Sequence, residues 1–194
     1  MISECVNVED DVRVAASAAA AELFGDVDVP GPAQRWWVVH TRARHEKTVA
    51  GQLERLRIAY FLPLVEARRS YGGRAPRTVR LPLFPGYLFL RGESNERAAT
   101  LRTHRVAQVI EVADQERLRH ELRQIHRAVN SGVPMDLYPG IQRGRRCRVT
   151  SGSLRGMEGT VLRRRGLCRV YLAVQILGQS AEVEIDPGLL EVIE

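Results

Sequence analysis

Lysine is nearly missing from this chain: of 29 basic residues only Lys47 is not an arginine. Such a bias can follow from a genome rich in G and C, but guanidinium groups also suit planar contacts to phosphates and bases. Cysteine is scarce as well. Cys5, Cys147 and Cys168 have neither the even count of a disulfide framework nor the paired spacing of a zinc site. Cys147 and Cys168 fall in predicted strands with Val149 and Val170 on the same side, which points to buried thiols. No apolar run approaches the eighteen or so residues of a membrane span. The opening Met-Ile-Ser-Glu-Cys-Val-Asn lacks the basic and apolar regions of a secretory signal, so the expected address is the cytoplasm. No Walker loop is present, and no serine or cysteine has an identifiable base and orienter. His45, His104, His120 and His126 share no metal spacing. No enzyme activity, metal or cofactor is therefore expected.

What the chain does contain is size and asymmetric charge. Its 194 residues suit one ordinary domain plus a small one, and 44% hydrophobic content is enough for real cores. Residues 1–34 hold seven acids (Glu4, Glu9, Asp10, Asp11, Glu22, Asp26, Asp28) against Arg13. The remaining residues therefore hold 28 basic groups against 16 acidic ones, the balance of a chain that meets nucleic acid.

Four regions follow from the pattern. Residues 1–34 read as an acidic, flexible leader with a short helix over Val14 to Phe24, closed by Val29-Pro30-Gly31-Pro32. Residues 35–130 read as a folded unit. It begins with a strand, Trp36 to Thr41, whose alternate faces are Trp36/Val38/His40 and Trp37/Val39/Thr41. A helix from His45 to Arg57 follows, with Val49, Leu53 and Leu56 on its stripe. Ala59 to Arg68, Arg77 to Leu83 and Pro82 to Arg91 form a strand meander with a turn at Gly72-Gly73, and Pro63 and Pro82 mark irregular or edge positions. Then come a short helix over Asn95 to Arg102, a strand at Ala107 to Val112, and a helix capped by Asp114 with Leu118, Leu122, Ile125 and Val129 on one stripe. This order predicts an α+β fold, a ferredoxin-like antiparallel sheet with helices on one face. Residues 131–142 read as a linker. Residues 143–194 carry five short strands between glycine turns, the composition of a small five-stranded SH3-like β-barrel. Its β-branched, alternating strands and frequent glycines predict that the barrel is permanent, with no helical alternative.

The stretch Pro82-Leu83-Phe84-Pro85-Gly86-Tyr87-Leu88-Phe89-Leu90-Arg91 is the most informative. Strand alternation places Tyr87, Phe89 and Arg91 on one face and Leu88 and Leu90 on the other. With helices over the leucine side, the tyrosine and phenylalanine are expected to face outward and wait for a partner.

Two segments together resemble the NusG family of transcription elongation factors. The first unit shares Trp36-Trp37-Val38-Val39, His45-Glu46-Lys47, Phe61-Leu62-Pro63 and Pro82 to Phe89 with the NusG N-terminal (NGN) domain. The second resembles a KOW domain across Arg148 to Val161, with its Gly152, Gly156 and Gly159 turns. Thr41 to Lys47 and Gln179 to Ile185 are closer to the RfaH-like and UpxY-like antiterminators of particular operons. The resemblance implies docking on the β′ clamp helices of RNA polymerase through His40, Phe84, Tyr87 and Phe89, with the β subunit as a further contact. It also implies contact with the non-template DNA strand through Arg42, Gln52, Arg55, Thr103, His104 and Arg105. Leu56 departs from one polar reading position, and Glu96-Arg97-Ala98-Ala99 replaces a His-Thr-Thr-Thr run. The KOW domain is implied to bind a small-subunit ribosomal protein or Rho. The rival reading is an RNA-binding or ribosome-associated KOW protein, because exposed sheet aromatics also stack bases. The charge runs Arg163 to Arg165 and Arg143 to Arg148 read as solvated faces or RNA contacts.

Overall fold

The computed structural model of the chain describes residues 22–24, 34–69, 75, 77–133, 135–138, 144–164 and 167–193. Most of the leader, Cys5, the Gly72-Gly73 turn, Arg143 and Arg165 lie outside the described residues, as do the side chains of Arg163, Arg164 and Cys168. The elements are β1 (Glu22–Phe24), β2 (Arg35–Thr41), α1 (Glu46–Arg55), β3 (Ala59–Leu62), β4 (Leu64–Arg69), β5 (Arg77–Pro82), β6 (Tyr87–Gly92), α2 (Ser94–Leu101), β7 (Val106–Glu111) and α3 (Gln115–Asn130). After these come β8 (Met135–Tyr138), β9 (Arg145–Val149), β10 (Glu158–Arg164), β11 (Leu167–Val174), β12 (Gln179–Ile185) and β13 (Leu190–Val192).

The first sheet runs β1-β3-β6-β2-β7, antiparallel throughout. Pairing of Trp36 with Arg91, Val38 with Phe89 and His40 with Tyr87 confirms the alternation read from sequence. One face buries Trp37, Val39, Tyr60, Leu62, Leu88 and Leu90 against Val49, Ala50 and Leu53 of α1. The other buries Trp36, Val38, Phe61, Phe84 and Phe89 against Leu118, Leu122, Ile125 and Val129 of α3. The expectation that the helices share one face is therefore corrected: α3 lies on the side opposite α1. Its placement has a local cause. The Gln115 side chain, at the first turn of α3, accepts from the Trp36 N–H at 2.7 Å and donates to the Trp36 and Val112 carbonyls, both at 2.9 Å. That clamp ties the first turn of the helix to β2, and Asp114 caps it by accepting from the Arg117 N–H at 2.9 Å.

Pro63 breaks the meander strand in two. β3 stays in the main sheet, whereas β4 leaves it to pair only with β5 as a two-stranded ribbon. At the other end of the unit, Glu22–Phe24 is a strand paired with β3, and not the end of the helix expected there.

The second unit is a six-stranded antiparallel sheet, β13-β9-β10-β11-β12-β8, with short 3-10 turns at Gln175–Leu177 and Pro187–Leu189. No closed barrel is found among the described residues; the strands read from sequence are present and pair in the order given. Met135–Tyr138, expected within the linker, is its edge strand β8, with Met135 opposite Val183 and 2% exposed. Cys147 is a buried thiol that donates to the Gly159 carbonyl at 3.4 Å.

Helix α3 joins the two units. Its Gln124 side chain donates to the Glu158 carbonyl at 2.7 Å and accepts from the Glu158 N–H at 3.3 Å. Its Glu121 carboxylate accepts from the Gln175 N–H at 3.2 Å, and Arg127 donates to the Arg155 carbonyl. A contiguous apolar cluster runs from Phe89 through Leu122 to Leu172 and Val183.

Candidate functional site

The turn before β6 sets the candidate docking face. Gly86 has φ 84°, a left-handed value that costs an ordinary residue energy, and its carbonyl accepts from the Thr41 N–H at 2.8 Å. Glu46, at the first position of α1 and only 6% exposed, accepts from the Gly86 N–H at 2.7 Å. The helix N-terminus favours that buried carboxylate. Between them, the glycine and the glutamate fix where β6 starts.

The rings then separate into two kinds. His40 and Tyr87 are half-buried and stack with centroids 4.9 Å apart and planes 18° off parallel. Phe84 and Phe89 are fully buried, 6.4 Å apart edge to face, and Phe61 lies 6.2 Å from Phe89. The outward display expected of Phe89 is thus corrected: α3 occupies the space above it. Burying an aromatic of that size stabilises the fold by about 1.5–3 kcal/mol, which explains why the chain does not leave it open. Tyr87 lies at the end of the face that α3 leaves partly uncovered.

The expected nucleic-acid residues fall into two neighbouring groups. Gln52, Arg55 and Thr103 line a cleft of about 530 Å³ between the C-terminal ends of α1 and α2, together with Leu56, Ala99 and Arg102. Within it the Gln52 Oε1 atom is buried and has no hydrogen-bond partner. Arg55 donates to the Gly51 carbonyl at 2.9 Å and Thr103 to the Thr100 carbonyl at 2.8 Å. The second group is Arg42, His104 and Arg105, all exposed. The Arg42 N–H donates to the Arg105 carbonyl at 2.9 Å, and an Arg105 guanidinium nitrogen lies 3.4 Å from His45 Nδ1. His104 sits at φ 57°, a conformation uncommon outside glycine and one that concentrates at functional turns.

Leu101 and Arg102 were missed by sequence reasoning. Leu56 and Leu101 are 54% and 38% exposed, large apolar groups beside arginines at the ends of two helices. The sequence signal was present, since both follow the last buried position of their helix, but nothing local shows that the two ends converge.

A further cleft, about 420 Å³, lies between α3 and the second sheet, lined by Arg117, His120, Glu121, Gln124, Arg146 and Glu158 among others. Burial pushes the Glu121 carboxyl above its ordinary 4.5, against the Gln175 N–H and Arg117, which lower it. Glu158 is shifted the other way, chiefly by its hydrogen bond from Arg148, which reaches its carboxylate at 2.6 Å. Arg146 holds the second carboxylate oxygen at 3.2 Å. These charges are mutually paired.

The arrangement has exposed arginines at loop and helix ends, a partly open aromatic stack and no cluster of His, Cys, Asp or Glu able to hold a metal among the described residues. The family model described as transcription termination factor nusG matches residues 34–135, from β2 through α3 to the first residue of β8. With more than half of the sequence matched, the chain belongs to the NusG family, transcription elongation factors that in general bind RNA polymerase. Comparison with curated proteins finds no match. Among the described residues no helix is long and apolar enough to cross a membrane.

Proposed function

We propose that the chain is a non-enzymatic, cytoplasmic antitermination factor of the RfaH-like or UpxY-like kind that docks on the β′ clamp helices of RNA polymerase and lowers the population of paused complexes on particular operons. The observation that carries the reading is the His40–Tyr87 stack, held half-open at the end of an otherwise covered sheet face. In this reading Phe84 and Phe89 act from beneath, as the floor that fixes Tyr87, and Tyr87 makes the contact. Arg42, Arg105 and His104 at the turn, with Gln52, Arg55 and Thr103 in the α1–α2 cleft, meet the displaced non-template strand, where arginine and glutamine reach phosphates and base edges. The second unit is a KOW domain that recruits a small-subunit ribosomal protein or Rho. The rival RNA-binding reading would use the same half-buried His40–Tyr87 pair to stack bases.

Transcription in vitro through a defined pause tests the proposal. Tyr87→Ala is expected to abolish pause suppression while leaving the fold intact by circular dichroism. A nuclease-treated pull-down separates the rival: loss of polymerase on RNA removal, with Tyr87→Ala as active as the native chain, would overturn the docking.

A further inference from the structure

Two turns meet at one end of the first sheet, where β2 hands over to α1 and α2 to β7. The Arg42 N–H donates to the Arg105 carbonyl at 2.9 Å, so the backbones of the two turns are stitched together. Arg44 and His104 hold φ 63° and 57°, left-handed values that persist only where the surroundings impose them. His45 is the N-cap residue of α1, yet its side chain makes no capping bond. Its Nδ1 lies instead 3.4 Å from a guanidinium nitrogen of Arg105. A guanidinium only donates, so Nδ1 accepts and the imidazole is uncharged in this arrangement. The charged groups around the ring are Arg42 and Arg44 of its own turn, Glu46 and Lys47 of α1, and His104 and Arg105 of the turn before β7. The single acid is engaged elsewhere: Glu46 is buried and accepts from the Gly86 N–H, and Lys47 reaches away to the Arg80 carbonyl. Among the described residues Arg42, Arg44 and Arg105 make no ion pair.

We propose that His45 is a positioning residue that acts through Arg105 and makes the strand contact of this corner proton-linked. With the ring neutral, Arg105 is held against the protein. When His45 takes a proton from solvent at Nδ1 it can no longer accept, and two cations 3.4 Å apart repel. The guanidinium turns outward, where phosphate oxygens take its hydrogen bonds, and the imidazolium stays behind as a second cation for the same backbone. The bond between the two turns keeps both side chains at the site while this happens. A phosphate beside the ring favours its charged form, so strand binding takes up a proton here and tightens as pH falls through the ordinary histidine range near about 6.5. The inference rests on the reading that Arg42, His104 and Arg105 meet the non-template strand. To that reading it adds the residue that releases Arg105 and the condition under which it does so.

The test is fluorescence anisotropy of the full chain with a single-stranded DNA oligonucleotide of mixed sequence, at about pH 8 and about pH 6, over a series of salt concentrations. The native affinity is expected to rise about tenfold at the lower pH, the worth of one gained charge-assisted bond. The dependence of log Kobs on log salt is expected to steepen by about 1.4, two further phosphate contacts on a single strand at about 0.7 each. His45→Gln still offers Arg105 an acceptor and never becomes charged, so it keeps the affinity of the higher pH and loses both effects. His104→Gln keeps both. Thermal melting at the two pH values excludes unfolding as the cause. A native profile that is flat with pH, or an undiminished rise in His45→Gln, would overturn the inference and leave the strand reading standing. Absence of single-strand binding at either pH would remove the strand reading, and this inference with it.

Discussion

Gln124 offers the sharpest way to ask whether α3 latches the two units together. Its side chain is 7% exposed and satisfies both backbone groups of Glu158. Gln124→Ala removes one donor and one acceptor at once and leaves both Glu158 groups facing the helix without a partner. At about 1 kcal/mol net per hydrogen bond, the loss is about 2 kcal/mol, which is about a 30-fold increase in the population of the opened interface. Amide hydrogen exchange at Gln175 reads that population, because its N–H donates to Glu121 of the same helix and keeps that acceptor in the variant. Its exchange is expected to quicken about 30-fold while Val38 and Leu88, deep in the first sheet, stay as they were. Gln124→Glu should act in the same direction but less, since a carboxylate still accepts from the Glu158 N–H and loses only the bond donated to the Glu158 carbonyl. Unaltered exchange at Gln175, or a uniform rise that includes Val38 and Leu88, would refute the latch.

Further tests bear on other parts of the fold. Gly159→Ala would put a Cβ 2.6 Å from Val170 Cγ1 and 2.8 Å from the Tyr171 carbonyl oxygen, so a loss of about 1–3 kcal/mol is expected in denaturant melts monitored on the second unit. Gly86→Ala, forced to φ 84°, should cost about 1–2 kcal/mol and weaken polymerase docking together with stability. Asp114→Ala should destabilise α3 by about 1 kcal/mol, measured by urea unfolding of the full chain. The two carboxyls of the interface cleft respond to pH with opposite sign. Glu121, raised by burial, stabilises most below 4.5 and loses that contribution as pH climbs from 4.5 through its folded value. Glu158, lowered by Arg148, contributes above 4.5 and loses its contribution as pH drops from 4.5 through its folded value. Acidification from neutral should therefore slow Gln175 exchange, corrected for its intrinsic rate, until pH nears 4.5, and Glu121→Gln should erase that slowing.

How much of this was legible in the sequence depended on distance along the chain. Strand faces were read correctly because alternation is local: Val38 and Phe89 meet as cross-strand partners on one side and Val39 and Leu88 on the other. The stripe and cap of α3 were equally plain, as Asp114 and the Leu118, Leu122, Ile125 and Val129 positions show. Which side of the sheet α3 would cover was not, because that choice rests on Gln115 reaching back across 79 residues to the Trp36 backbone. The same limit hid β1 and β8, short segments whose strand character comes only from partners at Tyr60–Leu62 and Ser180–Val183. At the candidate site, the nearness of Tyr87 to His40 followed from register, whereas convergence of Leu56 with Arg102 depended on how two helices end over one sheet. The openness of Phe89 was misjudged for the same reason as α3, since the helix is what covers it.

A helix whose apolar side meets both units makes an awkward place to divide a protein. Trimming the chain after Asn130 to isolate the first unit would bare Gln124, Ala128 and the neighbouring wall to water, so the severed piece should be stickier and softer than the whole. Fragments ending there would report the behaviour of a raw surface as much as that of the domain.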